Sequence, residues 1–262
     1  MISTAPAALD PLSPRSIVLS VLLGSHPPTM PVRRILEFTS LFDLADGAVR
    51  TALSRMVAAG ELANHDGVYR LSGRLIERQA EQDAGRQTPP ADWDGTWWTV
   101  AVLSERRPMA ERRTFRSRAI GSRLGEVRPD LWLRPANIDV ATDLPDALVT
   151  RGLLTNVDEQ QLVAQLWDLD GLRARSDAHA ARLDVAGARL LDTDDRALAD
   201  AFVALAGAQQ FLRIEPQLPR TLTREGGGEV RARYDDVVTR FRNRLATFFD
   251  ARDGGRISTA VR

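Results

Sequence analysis

Across residues 46–60 (DGAVRTALSRMVAAG) the apolar positions Val49, Leu53, Met56 and Val57 fall at i, i+4, i+7 and i+8, which is the spacing of one stripe along a helix. That stripe should pack inward. The other face carries Arg50, Thr51, Ser54 and Arg55, with almost no bulky apolar material among them. Asp46 is the expected N-cap, and Gly60 suits the left-handed position that ends a helix. Upstream, residues 15–23 (RSIVLSVLL) and 31–42 (PVRRILEFTSLF) predict two shorter helices. Gly24 and Pro27-Pro28 separate them, and Pro31 sits at a first helical position. Downstream, Leu62 is followed by a polar turn at 64–67 and then by Val68, Tyr69, Arg70 and Leu71; Asp66-Gly67 between two β-prone runs predicts a hairpin. Three helices and a hairpin make a winged helix-turn-helix domain over 14–82, preceded by a disordered tail at 1–13.

The pattern then changes. Residues 74–82 predict a short helix leaving this domain, and 83–92, with Thr88-Pro89-Pro90, a linker. Residues 96–103 (TWWTVAVL) have strand composition, 106–123 are studded with arginine, and 131–134 (LWLR) form a strand stopped by Pro135. A strand, a helix and a strand in that order suit a small α/β sandwich over 93–175. Further on, 146–152 predict a helical turn or two and 153–157 a strand-like segment. One helix should then run through Leu162, Leu166, Trp167 and Leu169. From Asp192 an acidic start leads into apolar residues at helical spacing, among which Phe202, Leu205, Phe211 and Leu212 should be buried. Residues 229–250 predict a last helix whose apolar side, with Val230, Tyr234, Val237, Val238, Phe241, Leu245, Phe248 and Phe249, suits part of a dimer contact; 251–262 are expected to fray. Residues 176–262 thus read as a helical C-terminal domain.

The series RSIVLSVLLG, AVRTALSRMVAAGEL, GVYRLSGR, DWDGTWW and LWLRP resembles the phenylacetic-acid degradation repressor (PaaX) family of bacterial transcription regulators. The likeness continues in QLWDLDGLRAR and FLRIEPQLPRTL, so it covers most of the chain. The resemblance implies an α+β protomer with a winged helix-turn-helix that binds operator DNA, a central ferredoxin-like (Cas2-like) domain and a helical C-terminal domain. It also implies a homodimer and an acyl-coenzyme A effector such as phenylacetyl-coenzyme A. The chain departs from the family at Gly226-Gly227-Gly228, where members often carry a Trp-Pro-Gly step after the LPRTL-like segment.

Composition narrows the class more than it names a function. With 262 residues the chain accommodates two or three domains, and with 44% hydrophobic and 27% charged residues it is globular. No apolar run reaches the roughly 20 residues that span a bilayer, and the first residues lack the pattern of a signal peptide. The chain has no cysteine, which removes disulfides, thiolate nucleophiles and cysteine metal sites and suits a reducing cytoplasm. Basic and acidic side chains balance at 35 each, so DNA binding would rest on a local basic face. Every one of those basic residues is arginine, which favours planar, two-pronged hydrogen bonding.

Arg50, Thr51, Ser54 and Arg55 suit base edges and phosphates, and Arg70 in the hairpin suits the DNA backbone. The same pattern fits an amphipathic surface helix with solvated arginines. Arg113, Arg116, Arg123 and Arg134 are candidates for the phosphates of an acyl-coenzyme A effector or of flanking DNA; the alternative is a solvated helix face paired with Glu105, Glu111 and Glu126. Asp168 and Asp170 read as helix-end polarity. A Cas2-like, metal-dependent nuclease would need an aspartate near the end of the first central strand, where the chain has Ser104 and Glu105. His26, His65 and His179 are scattered, so neither a zinc trio nor a Ser-His-Asp arrangement is suggested, and no cofactor is expected. A winged helix kept for protein contacts, without DNA binding, is a third reading.

Overall fold

The computed structural model describes residues 13–90, 92–104, 107–140, 144–192, 194–223 and 228–259. Residues 1–12 of the expected tail, Glu105, Arg106, Gly226 and Gly227 lie outside them, as do 260–262. The fold is α+β, with helices and two small antiparallel sheets. It divides into two compact units. The first comprises Met1–Arg86, His179–Gln210 and Ala232–Arg262, the second Gln87–Ala178 and Phe211–Arg231.

In the first unit, helix α1 (Pro14–Gly24) starts at Ser13, whose side chain accepts from the Ser16 amide, and buries Ile17, Val18 and Leu22. A short strand β1 (Thr29–Pro31) follows, and Pro31 is the N-cap of α2 (Val32–Thr39) rather than its first residue. The chain continues through a 3-10 turn (Ser40–Phe42) into α3 (Asp46–Ala58). The N-cap of α3 is Ala45, in extended conformation and without a side-chain bond, so the cap expected at Asp46 falls one residue early. Asp46 still lies at the positive end of the helix dipole. At the other end Gly60 has φ +70°, its amide donates to Val57 and that of Glu61 to Met56, so the carbonyls of Val57 and Met56 are satisfied. Strands β2 (Leu62–His65) and β3 (Val68–Leu71) form the expected hairpin, in which Asp66 (φ 49°) and Gly67 (φ 76°) make the two-residue turn. Sheet order is β1-β3-β2. Helix α4 (Arg74–Arg86) runs into the segment expected as linker, and its Gln79 side chain caps α1 by donating to the carbonyls of Leu23 (3.0 Å) and Ser25 (2.9 Å).

The later helices complete this unit. They are α7 (Leu169–Arg189) from His179 onward, α8 (Asp195–Ile214) up to Gln210, and α9 (Gly228–Thr259) from Ala232. Phe38, Phe42, Phe202 and Phe241 stack edge-on or tilted with centroids 4.9–6.5 Å apart. Tyr234, Val237, Phe241 and Phe248 are buried in the same protomer. Val238, Leu245 and Phe249, which complete the apolar side expected as a dimer contact, stay half-exposed, so this unit covers only part of that side. The helix also persists through Thr259 instead of fraying after Asp250.

The second unit is built on a four-stranded antiparallel sheet of order β5-β6-β4-β7, with β4 at Thr96–Val102, β5 at Gly125–Arg128, β6 at Leu131–Pro135 and β7 at Ala147–Leu153. Helix α5 (Met109–Gly121) connects β4 to β5 and packs Phe115 and Ala119 on Val100 and Trp132. On the other face Trp97 and Leu133 meet Val163 of α6 (Glu159–Leu166), together with Leu218 and Leu222. β7 replaces the helical turns expected at 146–152. Ala147 and Val149 are partly covered while Leu148 and Thr150 are exposed, a period of two, and every residue of the strand pairs with β4. The single helix expected through Trp167 is two helices. Trp167 is extended (φ −132°, ψ 141°), and Asp168 Oδ1 accepts from the Gly171 amide at 2.9 Å to cap α7. Phe211 and Leu212 are buried, as expected.

Candidate nucleic-acid interface

Helix α3 is two-faced. Val49 and Leu53 have no exposure and Met56 has 1%, while Arg50, Thr51, Ser54 and Arg55 are all exposed. Val57, expected in the buried stripe, is 37% exposed, because at about 100° per residue it lies about 80° round the helix from Val49, at the stripe's edge. The hydroxyls of Thr51 and Ser54 donate to the helix's own carbonyls, of Gly47 at 2.8 Å and Arg50 at 3.0 Å, which leaves their oxygens as acceptors toward solvent. Arg70 is exposed on β3, in register with Thr29 of β1 and Ala63 of β2. Of the three strands holding it, β1 was the one the sequence hid, being three residues long and ending in proline.

The arginines considered for an anionic effector meet different fates. Arg113 is exposed on α5. Arg116 pairs with Glu126 and lies 5.6 Å from the Trp132 ring centroid, as the pairing alternative anticipated. Arg123, at φ 57°, donates to the carbonyl of Glu215 at 2.8 Å. Arg134 corrects its expected role. It has no exposure, and it donates to the Pro135 carbonyl (2.9 Å), Asn137 Oδ1 (3.1 Å) and the Pro216 carbonyl (3.3 Å). Burial, reinforced by the charge of Arg123 and opposed by Glu215, pushes its guanidinium down to about 9. With its fork committed to carbonyl and amide oxygens inside the protein, it has no face to offer a phosphate.

Sequence reasoning missed how α9 reaches α2. Arg34 donates to Glu37 Oε2 and to the Phe249 carbonyl, both at 3.1 Å, pairs with Asp253, and lies 4.5 Å from the Phe249 ring centroid. Arg33 bonds Glu37 Oε1 at 2.9 Å and also pairs with Asp253. Burial tends to push the Glu37 carboxyl up, but the hydrogen bonds from Arg33 and Arg34 outweigh it and hold the group below the ordinary carboxylate range. Beside this cluster a cavity of about 390 Å³ is lined by α2, by Asp46 and Arg50 of α3, and by Arg252 of α9.

Among the described residues no three histidine or carboxylate side chains gather as metal ligands would, and no helix is long and apolar enough to cross a membrane. Asp168 is engaged in capping α7, while Glu105, the carboxylate nearest the end of β4, lies outside the described residues.

Comparison with known proteins agrees with this arrangement. The sequence profile of a family described as PaaX-like protein matches residues 13–75. Among solved structures, the uncharacterized protein Rv0674 from Mycobacterium tuberculosis is 31% identical, with a TM-score of 0.71 over 91% of this chain and 99% of that one. No curated protein matches significantly.

Proposed function

The chain belongs to the PaaX-like family, and on that premise we propose that it is a DNA-binding transcriptional regulator, a repressor that responds to a small-molecule ligand. The observation that carries this reading is the division of α3. One face is sealed by Val49, Leu53 and Met56, and the other presents two guanidinium forks and two hydroxyl acceptors to solvent. In this reading residues 14–82 are a winged helix-turn-helix. α3 enters the major groove, where Arg50 and Arg55 meet base edges and phosphates, and Arg70 in the wing holds the backbone. Residues 83–92 lead to a ferredoxin-like domain at 93–175. The strand order β5-β6-β4-β7 with α5 in the first crossover supports that assignment, although α6 follows the last strand instead of preceding it. Residues 176–262 supply the helical remainder.

A homodimer would place two copies of α3 on half-sites one or more DNA turns apart, about 34 Å per turn. The ligand would act by binding better to an arrangement that misplaces the two helices. An acyl-coenzyme A such as phenylacetyl-coenzyme A fits the family; exposed Arg113, and half-exposed Arg116 beside Glu126, are the candidates left for its phosphates. A thermal-shift screen of acyl-coenzyme A thioesters and free aromatic acids tests that assignment.

Selection of bound duplexes from a randomised pool tests DNA binding itself. Wild-type protein should enrich one sequence, and Arg50→Ala or Arg55→Ala should weaken binding to it by about 1 to 3 kcal/mol each while relaxing one position. Arg70→Ala should weaken all sequences alike. Failure to enrich any duplex would favour a protein-contact module, and metal-dependent cleavage of the pool would favour the nuclease.

A further inference from the structure

We propose that the DNA interface extends beyond α3 onto the C-terminal helix, where Arg252 of α9 holds a backbone phosphate next to Arg50; the proposal rests on the DNA-binding reading above. The two residues line one cavity, about 390 Å³, together with Val32 and Leu36 of α2 and Ser40 just after it. Arg33, Arg34, Glu37 and Asp253 pair among themselves, so these four charges cancel and leave Arg50, Arg252 and Asp46 as the other charges lining the cavity, Arg252 being held only loosely by Asp195 from outside it.

Arg252 is poised for an anion. Its nearest carboxylate is Asp195, at 3.7 Å, longer than a hydrogen bond, and Arg244 competes for that same carboxylate at 3.7 Å. The Phe248 ring, 3.7 Å from the guanidinium carbon, holds the plane of the fork, which cuts the entropy lost on engaging a phosphate. The guanidinium is thus restrained by packing on Phe248, while its Asp195 contact is too long to occupy a hydrogen-bond donor. A DNA strand following α3 past Arg50 would run along this cavity. A phosphate contact there adds affinity without adding sequence preference.

The test uses the full chain and a mixed-sequence duplex, titrated at several salt concentrations. Arg252→Gln should bind on the order of tenfold more weakly at low salt. Its log–log salt slope should fall by about 0.9, the release associated with one phosphate. Arg252→Lys should recover most of the slope, and thermal melts should match wild type. If Arg252→Gln binds with wild-type affinity and slope while Arg50→Ala fails, the extension is overturned and the DNA-binding reading stands. If Arg252→Gln weakens binding with an unchanged slope and a lowered melting temperature, the residue is structural and the extension is again overturned. If both variants bind as wild type does, the DNA-binding reading and its extension fall together.

Discussion

The ring of Phe38, in the helix preceding α3, meets the ring of Phe202, in α8, edge-on with centroids 4.9 Å apart. Phe38 has no exposure and Phe202 has 7%, and Phe241 of α9 joins both at 6.5 and 6.3 Å. Residues more than 160 positions apart therefore share one core, and the N-terminal helices are as much a product of the last third of the chain as of their own sequence.

Truncating that contact should be costly. Phe202→Ala is expected to destabilise the protein by about 3 to 5 kcal/mol, as removal of a buried aromatic ring does elsewhere. Chemical denaturation followed by tryptophan fluorescence and by circular dichroism would measure it. A loss under about 1 kcal/mol would mean that α8 contributes little to this core.

Acid should loosen the link between α2 and α9. The folded Glu37 carboxyl lies below its unfolded value, so its contribution is whole above the unfolded pKa and is lost as pH falls through the folded one. Glu37→Gln is expected to cost about 1 to 2 kcal/mol at neutral pH. The gap from wild type should close in melts run below the carboxylate range; a constant gap would show that the carboxylate's charge is not what matters.

Arg134 and Arg113 should separate stability from recognition. Arg134→Ala strands the oxygens of Asn137, Pro135 and Pro216 in a buried site and is expected to cost about 3 to 5 kcal/mol. Arg113→Ala, on an exposed helix face, should stay within about 0.5 kcal/mol. Urea titration of both variants decides the matter.

The hairpin turn offers a backbone test. Gly67, at φ 76°, leaves room for a side chain but not for the backbone preference of one, so Gly67→Val should cost about 1 to 2 kcal/mol. Hydrogen exchange should accelerate at the β2–β3 amides and leave α1 unchanged. Uniform protection in the variant would mean that the turn has rearranged without strain.

Much of the first unit is legible in the amino-acid pattern. Helical spacing locates α1, α2 and α3, and Asp66-Gly67 locates the hairpin, because each signal is confined to a few neighbouring residues. β7 is hidden because ALVTRGL carries only a weak alternation, and its strand character comes from pairing with β4, some fifty residues earlier. Trp167 ends a helix that its apolar neighbours would otherwise continue, since the break is set by Asp168 capping the next one.

Sequence alone determined which edge of α3 would be greasy and which would carry guanidinium groups, since 3.6-residue periodicity is a local property of the chain. It also bounded the chemistry, by the absence of cysteine and the absence of lysine among its basic residues. Tertiary structure decided the rest. It withdrew Arg134 into the interior, buried Tyr234, Val237, Phe241 and Phe248 of α9 in the protein's own core, and set Arg252 on the same cavity as Arg50. The reason is physical: burial and charge pairing depend on which distant segments fill the same volume, and no local spacing encodes that.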